Sequence, residues 1–410
     1  MARHKAPKRA AGVAARYSAI GKRVLRALPS IAFVLLLTLL FSRFSVFHRL
    51  EKPIADLEML IAGYMHASAE SPVVVVDITD EDYQTLFGGK SPLDYQKLER
   101  LISDIASFHP DLIAVDIDTS DRQFYEFTID DRWPPIVWAR EPGALRRDAN
   151  KLGYQPLDVL GAKDPELNRR SGVPMLMVDS NDKVARTYTR MLRTDAGLLP
   201  TFSWAVVDLY REHRGFAKAD TLPRCDPRSQ GASVPDACTE PLVINYISKR
   251  QCEHCFHFKA SQIGIACKRD CAAVQPWRGK IALLGGSYSD AERSKDTPIG
   301  PMSGVEVLAN VIETELDGGG QHELGLGLSM AMEAFEGLVL VLLFYLCALR
   351  RALLLSVALI PCFAWLGHLV SGRPLVFFLP ILVAVLFFEW FLHYRQQLLG
   401  RLVPGKGAEH

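Results

Sequence analysis

Six of the eight cysteines fall within a short stretch: Cys225, Cys238, Cys252, Cys255, Cys267 and Cys271. Cys252-Glu253-His254-Cys255 and Cys267-Lys268-Arg269-Asp270-Cys271, with His257 between them, have the spacing of two knuckles whose thiolates would close a tetrahedral zinc site. The competing chemistry is oxidation to disulfides that pin an irregular excursion, and the compartment deduced below favours it. Fifteen pairings of six cysteines exist, and local closure makes Cys225–Cys238 the first choice. A c-type haem would need histidine directly after the second cysteine, but Phe256 stands there. No cofactor is therefore expected, with zinc as the weaker alternative.

A second constellation is carboxylic. Asp77, Asp80, Asp116 and Asp118 follow or close two apolar runs, Gly285-Gly286-Ser287 closes a third, and Asp296 and Thr297 come on the next loop. In open α/β sheets ligands bind beyond the carboxyl ends of the strands. These residues are thus candidates to converge on one crevice that takes a cation or an amine. The more ordinary use of such carboxylates is to cap helices and loops, and both readings stay open at this point. Gly285-Gly286-Ser287-Tyr288-Ser289 falls short of a hydrolase elbow: the final glycine is missing, and no ordered acid and histidine follow in the domain. Enzyme activity has no support in the chain.

The elements that must position these groups are legible as periodic runs. Pro72–Ile78, Asp111–Ile117, Ile136–Ala139 and Lys280–Gly286 read as buried strands. Asp94–Phe108 reads as an amphipathic helix with Leu98, Leu101, Ile102 and Ile105 on its apolar face. Further helices are expected at Pro200–Arg214 and Gly304–Leu316, and a strand at Leu242–Ile247. Strand, helix, strand implies a mixed, largely parallel α/β sheet with flanking helices. Gly318-Gly319-Gly320 reads as a short, flexible joint at the end of this domain.

Charge and hydropathy divide the chain further. The 410 residues carry a net charge of +1, yet residues 1–43 hold nine Lys/Arg and no acid, and residues 44–326 hold 42 Asp/Glu against 32 Lys/Arg. Four apolar segments read as transmembrane α-helices, one N-terminal and three C-terminal: 28–47, 326–349, 352–370 and 375–394. The first is short in its apolar core, and Arg43 must snorkel. A cleaved signal peptide is the alternative there, but the small-residue site Ala67-Ser68-Ala69 lies too far downstream. The basic tail 1–27 and the Arg350-Arg351 turn belong in the cytoplasm by the positive-inside rule. That places residues 48–320 outside, in the periplasm if the membrane is a bacterial inner membrane, and residues 395–410 inside. Glu333 and Glu336 lie one turn apart near the outer end of the second span, at a depth similar to His368 in the third. They form a polar coupling point if they are in lipid, or sit in headgroup water if the helix starts later.

The order of motifs resembles the second type of CHASE domain, an extracellular sensory module found with cyclases and histidine kinases. The likeness rests on Val73–Asp80 (VVVVDITD) and His109–Asp116, on Val178–Arg186, on Ile244-Asn245-Tyr246, and on Gly279–Gly286 followed by Asp296-Thr297-Pro298 and Met302–Asn310. In the second piece Lys183 stands where the family's D-x-D-G-x-x-R turn has glycine. The resemblance covers residues 50–320 and implies a membrane-anchored sensor of an envelope signal. Family members usually continue into an output domain, whereas here only Arg395–His410 follows the last helix. The expected partners are therefore membrane lipid and a separate signalling output protein or envelope complex. A second copy of the chain is left open as a partner, and nothing points to nucleic acid. The rival reading is a non-sensing envelope scaffold that docks another protein through its external domain.

Overall fold

The computed structural model describes residues 71–141, 146–148, 151–153, 157–161, 164–179, 182–194, 197–214, 239, 241–246, 257–264, 277–289 and 294–320, with scattered positions before 60 and between 331 and 359. The chain divides into two compact units, Met59–Glu323 and the pair Met1–Glu58 with Leu324–His410. No helix among the described residues is long and apolar enough to cross a membrane. The four predicted spans lie largely outside those residues.

The first unit is built on a six-stranded sheet. Its strands are β1 (Val73–Ile78), β2 (Leu112–Asp116), β3 (Ile136–Ala139), β4 (Ser171–Gly172), β10 (His257–Lys259) and β11 (Ile281–Gly286). They lie in the order β10-β1-β11-β2-β3-β4, and every pairing is parallel. The last strand of this sheet in chain order thus fills the slot between the first two. A parallel sheet must be covered on both faces, which is why its strands read as unbroken apolar runs.

Alternation along the strands assigns the layers. Val74, Val76, Ile78, Ile113, Val115, Trp138, Ala282 and Leu284 face one side. There they meet helix α1 (Asp80–Thr85) and helix α2 (Tyr95–Ala106), the latter capped by Asp94, which accepts from the N–H groups of Gln96 and Lys97. The α2 residues Leu98, Leu101, Ile102 and Ile105 are buried as their spacing predicts, each worth about 1.5–3 kcal/mol over exposure. Val73, Val75, Leu112, Ala114, Val137, Ile281 and Leu283 face the other side. They pack against α3 (Phe202–His213) and α4 (Gly304–Leu316).

Helix α4 has a second cover. A small antiparallel sheet, β5 (Met177–Val178), β6 (Ala185–Tyr188) and β9 (Leu242–Val243), sets Tyr188, Leu242, Ile244 and Tyr246 against Val307 and Val311. Ten of the thirteen α4 residues are therefore buried, which accounts for a helix apolar on nearly every face. Three further hairpins are seen among the described residues: Arg146–Asp148 with Lys151–Gly153, β7 (Met191–Thr194) with β8 (Gly197–Pro200), which leads into α3, and β12 (Lys295–Thr297) with β13 (Gly300–Met302), which leads into α4.

Two expectations are adjusted by the backbone. The glycines after α4 are tied down rather than loose: Gly319 N–H donates to the Thr314 carbonyl at 3.0 Å and Gly320 N–H to the Tyr188 hydroxyl at 2.9 Å. The turn joining β5 to β6 holds Lys183 at φ 62°, a left-handed conformation that costs a non-glycine residue about 1–2 kcal/mol. The family's glycine at this position thus has a physical reason. Lys183→Gly should raise the urea midpoint by the equivalent of about 1 kcal/mol, strain relief less the entropy glycine adds to the unfolded chain; a lowered midpoint would show that the lysine side chain supports the turn.

Candidate functional site

The carboxyl ends of β1, β11 and β2 bring three of the predicted residues into one row. Asp77 is in register with Gly285, and Gly285 with Asp116. Neighbouring strands lie about 4.8 Å apart, so the two aspartate backbones are about 10 Å apart with the glycine between them. Strand alternation points all three toward the α3/α4 face. Gly285 is needed there because a Cβ would come within 2.7 Å of Val305 Cγ2. The first turn of α4 can therefore settle onto the sheet between the two carboxylates.

Asp77 is the centre of the arrangement and only 5% exposed. Its Oδ2 accepts a hydrogen bond from Ser287 Oγ at 2.7 Å, and His257 Nε2 stands 3.6 Å from the same oxygen. Its Oδ1 is buried without a hydrogen-bond partner among the described residues. His257 Nδ1 lies 3.9 Å from Glu306 Oε1 on the first turn of α4. Glu306 in turn closes a capping box, accepting from Ser303 N–H at 2.8 Å while Ser303 Oγ accepts from Glu306 N–H. Serine, aspartate, histidine and glutamate from four segments thus form one connected polar group. The Ser287 hydroxyl is bonded to a carboxylate rather than to the imidazole, which is not the contact order of a nucleophile and its histidine base.

The remaining predicted residues have other work. Asp80 accepts from Ser289 N–H at 2.7 Å and so closes the loop after β11 onto α1. Asp118 accepts from Ser120 N–H at 2.9 Å in a local turn. Gly286 makes room for the Tyr288 ring, which stacks on Tyr83 with centroids 4.4 Å apart. Asp296 bridges to Val184, and the Thr297 hydroxyl donates to the Gly300 carbonyl, so both serve the hairpin ahead of α4. Asp80 and Asp118 thus each accept a loop N–H, while Asp77 and Asp116 flank Gly285 in the row across the strands.

Among the described residues no group of three or more His, Cys, Asp or Glu side chains is placed to hold a metal ion. The six cysteines Cys225, Cys238, Cys252, Cys255, Cys267 and Cys271 lie outside those residues, as do Glu333 and His368. Glu336 is described, at a buried helical position. His257, weighed above only as a neighbour of the zinc-like knuckles, stands instead on edge strand β10 beside Asp77. Glu306 was readable as the fourth position of a Ser303-x-x-Glu306 capping box, but nothing local connects it to His257.

A family model for the CHASE2 domain matches residues 31–349. The chain belongs to the CHASE2 domain family. Neither the curated proteins nor the solved structures include a match to it. CHASE2 is a sensory domain family, and the matched span takes in the whole sheet of this CHASE2 domain, both of its helical covers and the polar group at Asp77.

Proposed function

We propose that this chain is a membrane-anchored extracytoplasmic sensor whose CHASE2 domain binds a small cation or amine at Asp77 and relays the event through its apolar C-terminal segments to a separate output protein. The observation that carries the binding half is the Asp77 carboxylate, nine-tenths buried at the carboxyl edge of the central strands with Oδ1 lacking a partner. A buried acceptor left unmade costs about 1–3 kcal/mol, and such a group at a sheet's ligand-binding edge is suited to an incoming N–H donor or cation. The acidic balance of residues 44–326 supports the same sign of ligand. The relay half is supported by family membership and by the four apolar segments with their positive-inside charges.

Thermal unfolding of the full-length protein, screened against divalent cations and short amines, tests the binding half. A ligand at a hundred times its Kd should contribute about 2.7 kcal/mol, or about 5–10 °C for a domain of this size. Asp77→Asn should lose that shift while unfolding cooperatively. A panel that shifts nothing, or a shift that Asp77→Asn retains, would remove the ligand from this edge and leave docking of an envelope protein as the better reading.

A further inference from the structure

At the opposite edge of the sheet β1 begins and α4 ends. Ser71 opens the described body, and Gly318–Gly320 closes it one turn beyond Glu313. Both Ser71 and Glu313 are buried, at 7% and 6% exposure. The Ser71 hydroxyl is hydrogen-bonded to Glu313 Oε1, lies 3.0 Å from the Val73 carbonyl, and accepts from Val73 N–H at 3.1 Å.

A hydroxyl has one proton to donate, so it cannot satisfy both acceptors. With Glu313 ionised, the proton goes to the carboxylate and the Val73 carbonyl loses that donor. With Glu313 protonated, the carboxyl O–H donates to Ser71 Oγ, and the hydroxyl is released to the Val73 carbonyl. Only the protonated carboxyl completes the set.

Burial, rather than the Ser71 bond itself, sets the balance toward the protonated state. Burial pushes the Glu313 carboxyl up to about 7, the charge of Asp317 adds to the rise, and the Ser71 bond opposes it. The charged groups on elements packed around this end of α4 are engaged as follows. Lys280, ahead of β11, donates to the Ser71 carbonyl at 2.9 Å. Arg190, after β6, pairs with Glu315 on the same helix, and Arg211 of α3 donates to the Glu315 carbonyl. Asp208 and Arg211 lie on α3.

We infer that Glu313 and Ser71 form a proton-binding clasp between the strand by which the chain enters the domain and the helix by which it leaves. The segments beyond each end lead to the apolar runs 28–47 and 326–349, so the clasp acts where any relay between domain and membrane segments has to pass. It is independent of ligand binding at Asp77. The sign follows from the raised value: the clasp is fully stabilising below the ordinary glutamate value of 4.5 and weakens as pH rises through about 7.

The test is hydrogen exchange of the full-length protein in lipid nanodiscs, corrected for intrinsic rates, between pH 5.5 and pH 8. Protection across residues 71–75 and 311–316 should fall by roughly tenfold or more over that range. Glu313→Gln should flatten the profile. Ser71→Ala should move the midpoint to higher pH, because the hydroxyl's charge-assisted bond to the ionised carboxylate outweighs the Val73 carbonyl contact it gives up. A Glu313→Gln protein that retains the pH dependence would overturn the clasp. So would an unmoved midpoint in Ser71→Ala, which covers the case of a Gln variant that does not fold.

Discussion

Arg190→Ala should cost the CHASE2 domain about 3–5 kcal/mol, the loss expected when one member of a buried ion pair is removed. The side chains of Arg190 and Glu315 are 2% and 0% exposed and meet through two hydrogen bonds, at 2.7 and 3.1 Å. The Tyr188 hydroxyl adds a third to Glu315 at 2.6 Å, and the guanidinium lies 5.0 Å from the centre of the Trp204 ring. Burial, and then the adjacent carboxylate, push the Tyr188 phenol far above its ordinary value, so this hydroxyl stays a donor at any working pH. Truncating Arg190 leaves Glu315 charged in a place water does not reach. Chemical unfolding followed by tryptophan fluorescence checks the loss. Replacing both partners, as Arg190→Met with Glu315→Leu, should cost less than Arg190→Ala alone, because no charge is stranded. Additive losses from the two positions would mean the pair is not coupled.

This network also ties the end of α4 to the elements around it. Glu315 holds Arg190 by its side chain and Arg211 by its carbonyl, and Tyr188 passes the connection to Gly320. A Cβ at Gly320 would sit 2.7 Å from the Tyr188 hydroxyl and 2.8 Å from the Val243 carbonyl. The glycines after the helix are thus selected by close approach and left-handed backbone, with Gly318 at φ 112° and Gly319 at φ 94°. Reading three glycines as a flexible joint used composition alone and missed the surface they dock on.

Other features were legible for physical reasons that can be named. The strands β1, β2 and β11 are covered on both faces, so Val73–Ile78, Leu112–Asp116 and Ile281–Gly286 carry unbroken apolar runs. Helix α2 is covered on one face, so its residues recur at helical spacing. Both patterns are local. The placement of β11 between β1 and β2 is not, because pairing at a separation of more than a hundred residues leaves no mark on either neighbour. Strands β4 and β10 are two and three residues long at the sheet edges, too short for a period to show. The site divides in the same way. Asp77, Asp80, Asp116 and Asp118 were all readable as strand-end carboxylates open to ligand binding or to capping, and only the folded chain separates Asp80 and Asp118, which accept loop N–H groups, from Asp77 and Asp116 in the row across the sheet. His257 was drawn toward the cysteines by sequence proximity, whereas β10 carries it to Asp77. Glu313 and Glu315 lie in a helix whose apolar character conceals two buried carboxyls, each kept there by a partner far away in the chain.

Gly285→Val should cost about 3 kcal/mol or more, at or above the usual range for overpacking. The position admits no Cβ: one placed there would lie 2.7 Å from Val305 Cγ2, 2.9 Å from Val305 Cβ and 3.5 Å from Asp116 Cβ. Rotating Val305 cannot relieve the contact, since its own Cβ is already too close. The first turn of α4 must lift off the sheet, and it carries Glu306 away from His257 as it goes. The substitution should therefore lower the unfolding midpoint and abolish any ligand shift that depends on Asp77. Gly264→Ala is the control: its nearest neighbour would be Asp104 Oδ2 at an ordinary 3.6 Å, and in a helix it should be neutral or stabilising. The decisive comparison is Gly285→Ala with and without Val305→Ala. If the glycine exists to admit Val305, the double variant should be more stable than the sum of its single losses by about 0.5–3 kcal/mol. Strict additivity would place the reason for Gly285 elsewhere, in the approach of Asp116 from the neighbouring strand.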